Sequence, residues 1–132
     1  MSVLGNGLSS ARRYEAALPV QEAEFSMLRR LGAPKGNILI AQGNLAVTYR
    51  RLGRHEQALC VRQDVYSGWL KLEGEEHIST FRAANNYAIS LKGLQRFKEA
   101  KSLLRTTIPV ARRVLRESHD TMLRMRWNYA EV

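Results

Sequence analysis

"AQGNLAVTYRRLGRHEQA", residues 41–58, returns further along the chain as "AANNYAISLKGLQRFKEA", residues 83–100. At a fixed offset of 42, six of the eighteen positions are identical: Ala41/Ala83, Asn44/Asn86, Ala46/Ala88, Leu52/Leu94, Arg54/Arg96 and Ala58/Ala100. Val47/Ile89, Thr48/Ser90 and Arg50/Lys92 keep their chemical character. Self-similarity at a period of some tens of residues marks stacked supersecondary units, none of which can bury its apolar face alone.

The period extends beyond this pair. Trp127-Asn128-Tyr129-Ala130 stands 42 residues after Asn85-Asn86-Tyr87-Ala88. Upstream, with one residue fewer, "RRYEAAL" at 12–18 matches "GRHEQAL" at 53–59 and "QRFKEAK" at 95–101. Val20, Val61 and Leu103 correspond, as do Phe25, Tyr66 and Ile108, and Leu31, Leu72 and Val114. Leu4-Gly5 falls where Leu45-Ala46 and Tyr87-Ala88 stand.

Each unit reads as two helices. Ala41, Leu45, Tyr49 and Leu52 recur at three- and four-residue spacing, the mark of a helical face. Gly53 breaks that run, and a second helix starts at once. Turn residues at 32–37, 73–77 and 116–120 separate the units. The spacing predicts helices over 2–11, 14–31, 37–52, 55–72, 78–94, 97–116 and 120–131, and no segment alternates at period two for long enough to compete as a strand. The expected architecture is all-α, a solenoid of about seven antiparallel helices cut mid-repeat at both ends. Its units fall at about 1–36 (partial), 37–77, 78–119 and 120–132 (first helix only). Ala46 and Ala88, with Ala17, Ala58 and Ala100, are expected where helix axes approach closely.

Composition bounds the function. An apolar content of 45% supports a core, and no apolar run nears the roughly 18 residues of a membrane span. The first twenty residues lack the continuous apolar stretch of a signal peptide. Cys60 is the only cysteine, so neither an internal disulfide nor a cysteine metal cluster is available. These features point to the cytoplasm. Twenty-one Lys and Arg against twelve Asp and Glu leave a net charge of +9, which favours an acidic partner without specifying its class.

The pattern Asn-Leu-Ala-x-x-Tyr-x-x-Leu-Gly-Arg-x-x-x-Ala at 44–58 resembles a tetratricopeptide repeat. The 42-residue spacing is similar to the longer form of kinesin light chains, in which a His-Pro-Asp-Thr-like turn precedes paired asparagines. Here "HISTFRAANN" (77–86) and "SHDTMLRMRWN" (118–128) occupy those places, with Ile78 for the Pro and Trp127 for one Asn. The resemblance implies a right-handed α-α superhelix whose inner helices line a concave, peptide-binding groove.

One stripe of each inner helix faces away from the packed residues. It carries Ile40, Gly43, Val47 and Arg50, then Arg82, Asn85, Ile89 and Lys92, then Arg124, Trp127 and Glu131. By the resemblance, Val47, Arg50, Arg82, Asn85, Ile89, Lys92, Arg124 and Trp127 form a basic groove for an acidic peptide with an aliphatic or aromatic anchor. Asn85 is expected to bond the ligand backbone, and guanidinium groups to pair its carboxylates. Asn44, Asn86 and Asn128 are expected to make structural hydrogen bonds to adjacent backbone, and His77 and His119 to serve as loop or cap residues.

No Ser/His/Asp or Cys/His constellation and no paired carboxylates share a plausible surface. The expectation is a non-enzymatic interaction scaffold without metal or cofactor. Two alternatives stay open. The basic clusters "RRYEAAL" and "ARRVLRES", interleaved with aromatics, could contact nucleic acid. The last helix, with Met122, Met125, Trp127 and Tyr129, could form an open apolar end through which copies self-associate.

Overall fold

The computed structural model describes residues 3–116 and 119–130, with side chains from residue 11 onward. Six helices follow one another: α1 (Val3–Arg30), α2 (Lys35–Arg51), α3 (His55–Glu73), α4 (Ile78–Gly93), α5 (Phe97–Val114) and α6 (Asp120–Ala130). No strand occurs among the described residues. The fold is all-α, with helix bounds within about two residues of the sequence pattern from α2 onward.

The helix ends explain the rhythm. Gly32, Gly53, Gly74 and Gln95 adopt positive φ, of 66°, 77°, 85° and 61°. They are spaced 21 residues apart, so each half-repeat closes on one left-handed residue. Behind Gly53, Arg54 N–H reaches Tyr49 C=O (2.8 Å) and Gly53 N–H reaches Arg50 C=O (3.0 Å). Behind Gln95, Arg96 N–H reaches Leu91 C=O and Gln95 N–H reaches Lys92 C=O, both at 2.9 Å. This paired arrangement satisfies the last carbonyls of a helix and reverses the chain. One half-repeat before Gly32 stand Ala11 and Arg12, both strong helix formers. There the chain does not turn, and the two helices expected at 2–11 and 14–31 are the single helix α1. Among the described residues, six helices replace the expected seven for that reason.

The chain divides into two compact units, Met1–Val61 and Arg62–Val132, with the boundary inside α3. In the first, α1 packs on α2. Leu18, Leu39, Ala41, Leu45 and Ala46 are buried. Thr48 Oγ1 donates to Gln21 Oε1 at 2.6 Å, and the Tyr49 hydroxyl reaches Glu22 Oε1 at 3.4 Å. Burial and then the Glu22 carboxylate push the Tyr49 phenol above its ordinary range. Pro34 precedes α2 without a side-chain cap.

In the second unit, α4 packs on α5, and α6 packs on both. Phe81, Leu104, Met122 and Met125 are fully buried, and each such side chain contributes on the order of 1.5–3 kcal/mol. Ala84, Ala88, Ala100 and Ala111 are also sealed, which lets the helices approach closely. The expectation of an open apolar end fails at Met122 and Met125: both are inside, because the face of α6 that carries them is the one packed on α4 and α5.

His77 and His119 occupy matching places. His77 Nδ1 accepts from Ser79 N–H at 3.1 Å and caps α4. His119 Nδ1 accepts from Thr121 N–H at 3.1 Å at the start of α6. Each satisfies one donor of a first helical turn that has no partner within the helix. Thr80 Oγ1 binds the Gly74 carbonyl at 2.7 Å and fastens the preceding turn. Tyr66 and Tyr87 pack with ring centroids 6.0 Å apart, and burial raises the Tyr66 phenol.

Candidate functional site

The side chains that α6 buries, Thr121, Met122, Met125 and Asn128, form one seam at helical spacing. Leu123, Arg124 and Trp127 flank that seam on one side. Facing them, α4 presents Asn85 and Ile89. Together with Asn128 these residues line an open cleft of about 490 Å³. Leu123 is 50% exposed and Trp127 67% exposed, so the cleft has an apolar wall already facing water.

The floor is polar and organised. Asn128 Nδ2 donates to Asn85 Oδ1 at 2.7 Å, in a buried bond. Lys92 Nζ donates to Asn128 Oδ1 at 3.3 Å. Asn85 and Lys92 lie two helical turns apart on α4, so one amide of α6 is gripped at two heights of its neighbour. Arg124 lies on the cleft wall, Arg82 is exposed one turn before Asn85, and Lys92 is half-buried. No carboxylate lines this cleft among the described residues.

Of the eight residues expected to form the groove, six belong to the second unit and two to the first. Asn85, Ile89, Arg124 and Trp127 line one cleft, Lys92 supports its floor, and Arg82 lies nearby on α4. Val47 and Arg50 belong to α2 in the first unit, where Val47 is 39% exposed and Arg50 is exposed. Glu131 lies outside the described residues. Sequence reasoning left out Leu123 and Asn128 as lining residues. Leu123 could have been found as the apolar residue one turn before Trp127.

The three aligned asparagines have different surroundings. Asn44 is exposed and, with Ile40, lines a smaller cleft of about 250 Å³ between α1 and α2 that also carries Glu24 and Asn37. Asn86 is half-buried. Asn128 is buried and bonds a side chain, not the adjacent backbone that the sequence reading expected, because α6 lies against the polar stripe of α4.

Chemically, the α4/α6 cleft offers an aromatic surface, two aliphatic neighbours, cationic groups and amides held in fixed orientation. That set suits capture of a chain carrying carboxylates and an apolar anchor. Among the described residues no group of three His, Cys, Asp or Glu side chains could hold a metal ion, and no helix is long and apolar enough to cross a membrane.

No curated protein is similar enough to the chain to count as a relative. The tetratricopeptide repeat family pattern matches residues 41–113, from within α2 to the last turn of α5. With that pattern running through more than half of the sequence, and helices closing at regular half-repeats within it, the chain belongs to the tetratricopeptide repeat family.

Proposed function

We propose that this protein is a non-enzymatic protein–protein interaction scaffold that binds an acidic peptide segment, with the α4/α6 cleft as its recognition site. Tetratricopeptide repeats generally mediate contacts between proteins, and repeat arrays of this kind work through extended surfaces. The observation that carries the acidic-peptide reading is the exposed Trp127 beside Arg124, above a floor that Asn85, Asn128 and Lys92 hold in place. Trp127 and Leu123 receive an aliphatic or aromatic anchor, and Arg124 and Arg82 pair the flanking carboxylates. Asn85 accepts from Asn128 Nδ2 through its Oδ1 and keeps its own Nδ2 to donate to a carbonyl of the ligand backbone. The net charge of +9 steers acidic partners toward the protein and raises the rate of encounter. Cytoplasmic location belongs to the same reading, supported by the single Cys60.

The test is affinity capture from a cell extract, with and without nuclease, at ionic strengths of about 0.05 and 0.3 M, a range over which phosphate contacts lose orders of magnitude in affinity. Proteins that stay bound after nuclease and at the higher salt are the expected result. Capture that disappears with nuclease would replace the scaffold reading with nucleic-acid binding.

A further inference from the structure

Asn44 precedes Asn128 by two 42-residue periods, yet the two side chains have opposite surroundings. Asn128 is buried, donates to Asn85 Oδ1 and accepts from Lys92 Nζ. Asn44 is exposed. The alignment of Val20 with Leu103 likewise sets α1 against α5 and Glu24 against Thr107. Thr107 is buried, whereas Glu24 is exposed. Among the described residues, no hydrogen bond or ion pair engages the side chain of Glu24 or Asn44. With Leu28, Asn37, Ile40 and Ala41 they line the open cleft of about 250 Å³ between α1 and α2. No cation lines that cleft. The neighbours of Glu24 at three and four residues along α1 are Val20, Gln21, Met27 and Leu28, so its own helix supplies no opposite charge.

We propose that this cleft docks one helix of a partner protein, which takes against α1 and α2 the place that α4 takes against α5 and α6. The second unit shows the chemistry that satisfies the aligned asparagine: a carboxamide oxygen for its Nδ2 and an ammonium for its Oδ1. On α4 these come from Asn85 and Lys92, seven residues apart and so on one face of the helix. Ala88 and Ile89 lie between them on that face. The partner helix therefore carries a carboxamide, apolar residues three and four positions on, and a lysine at the seventh. Its carboxamide and ammonium meet Asn44, and its apolar pair covers Leu28 and Ile40, the latter 57% exposed. Glu24 adds what Thr107 lacks, a carboxylate for the ammonium, and such a charge-assisted bond is stronger than a neutral one. A nucleic acid is disfavoured, since the cleft offers its phosphates a carboxylate and no cation. A polyamine only donates, and would leave the Nδ2 groups of Asn37 and Asn44 without an acceptor. The cleft thus selects a basic helix, the opposite preference to that of the α4/α6 cleft.

The probe is a synthetic peptide with the sequence of residues 78–94, held helical by a staple on the side away from Asn85 and Lys92. It is titrated into the intact chain as wild type, Asn44→Ala, Glu24→Lys and Trp127→Ala, alongside peptides carrying Asn85→Ala or Lys92→Glu. Amide chemical shifts report which helices respond and that each variant is folded. The expected response lies in α1 and α2, around Glu24 and Asn44. Affinity should fall at least about tenfold in Asn44→Ala and with the Asn85→Ala peptide, and stay within about twofold in Trp127→Ala. The Lys92→Glu peptide should lose binding to the wild type and regain it on Glu24→Lys. No binding, shifts confined to α4, α5 and α6, unchanged affinity in Asn44→Ala, or a Lys92→Glu peptide that binds the wild type as tightly as the unmodified one would each overturn the proposal.

Discussion

Asn128 joins α6 to α4 through both ends of one amide, giving Nδ2 to Asn85 Oδ1 at 2.7 Å and accepting from Lys92 Nζ at 3.3 Å. The bond to Asn85 is buried, so removing one partner costs more than removing both. Asn128→Ala strands the Asn85 carbonyl oxygen, a desolvation loss of about 1–3 kcal/mol. The pair Asn85→Ala/Asn128→Ala should be less unstable than the sum of the two single variants, with a coupling of about 0.5–3 kcal/mol. Denaturant unfolding of the four proteins measures it. Additive losses would mean that the bond contributes nothing specific.

The two histidine caps form a matched pair. His77→Ala and His119→Ala should each cost about 1 kcal/mol, whereas Asp at either position should retain most of the stability, since its carboxylate accepts the same N–H. Hydrogen exchange at the Ser79 and Thr121 amides, the two donors, gives the local readout. Protection there that survives the alanine changes would contradict the capping role.

Gln95 sits at φ 61° where the other three turn positions carry glycine. A left-handed conformation costs a residue with a β-carbon about 1–2 kcal/mol, while glycine brings an entropic cost of its own. Gln95→Gly is therefore expected to raise stability by up to about 1 kcal/mol, and Gly53→Ala to lower it by a similar amount. Nothing stands within 4 Å of a β-carbon built on Gly53, so that loss would be one of backbone conformation alone. Equilibrium unfolding of both variants decides the sign.

Met125 and Trp127 are two residues apart on α6 and should respond in opposite ways. Met125 is 0% exposed and Trp127 67% exposed. Met125→Glu buries an unpaired charge and should unfold the second unit or cost several kcal/mol. Trp127→Glu should change stability by no more than about 0.5 kcal/mol and act on ligand affinity. Circular dichroism during denaturation, with binding measured on the folded fraction, separates the two effects.

The fold was largely legible because its signals are local and repeated. Ala46 and Ala88 recur in register and both are sealed; Gly53 announces the turn it makes. The continuity of α1 was hidden, since the pattern around Arg12-Arg13 matches a helix junction while lacking the left-handed residue that makes one. Periodicity placed Asn85, Ile89, Arg124 and Trp127 on stripes of two successive inner helices without revealing that Asn85 pairs with the next repeat's Asn128. That bond depends on how α6 seats on α4, a tertiary distance that no spacing along the chain encodes. The burial of Met122 and Met125 was missed for the same reason. Arg105, Arg112 and Arg126 stood in the sequence as scattered charge, and only the packing of α5 on α6 gathers them.

The most direct measurement compares the proteins retained by the wild type, Trp127→Ala and Arg105→Ala from one nuclease-treated extract at about 0.3 M salt, where phosphate contacts are weak. The account expects a set of partners with acidic segments that the wild type and Arg105→Ala hold and Trp127→Ala loses. The same partners on all three proteins, or none on any, would contradict the assignment of the α4/α6 cleft as the recognition site.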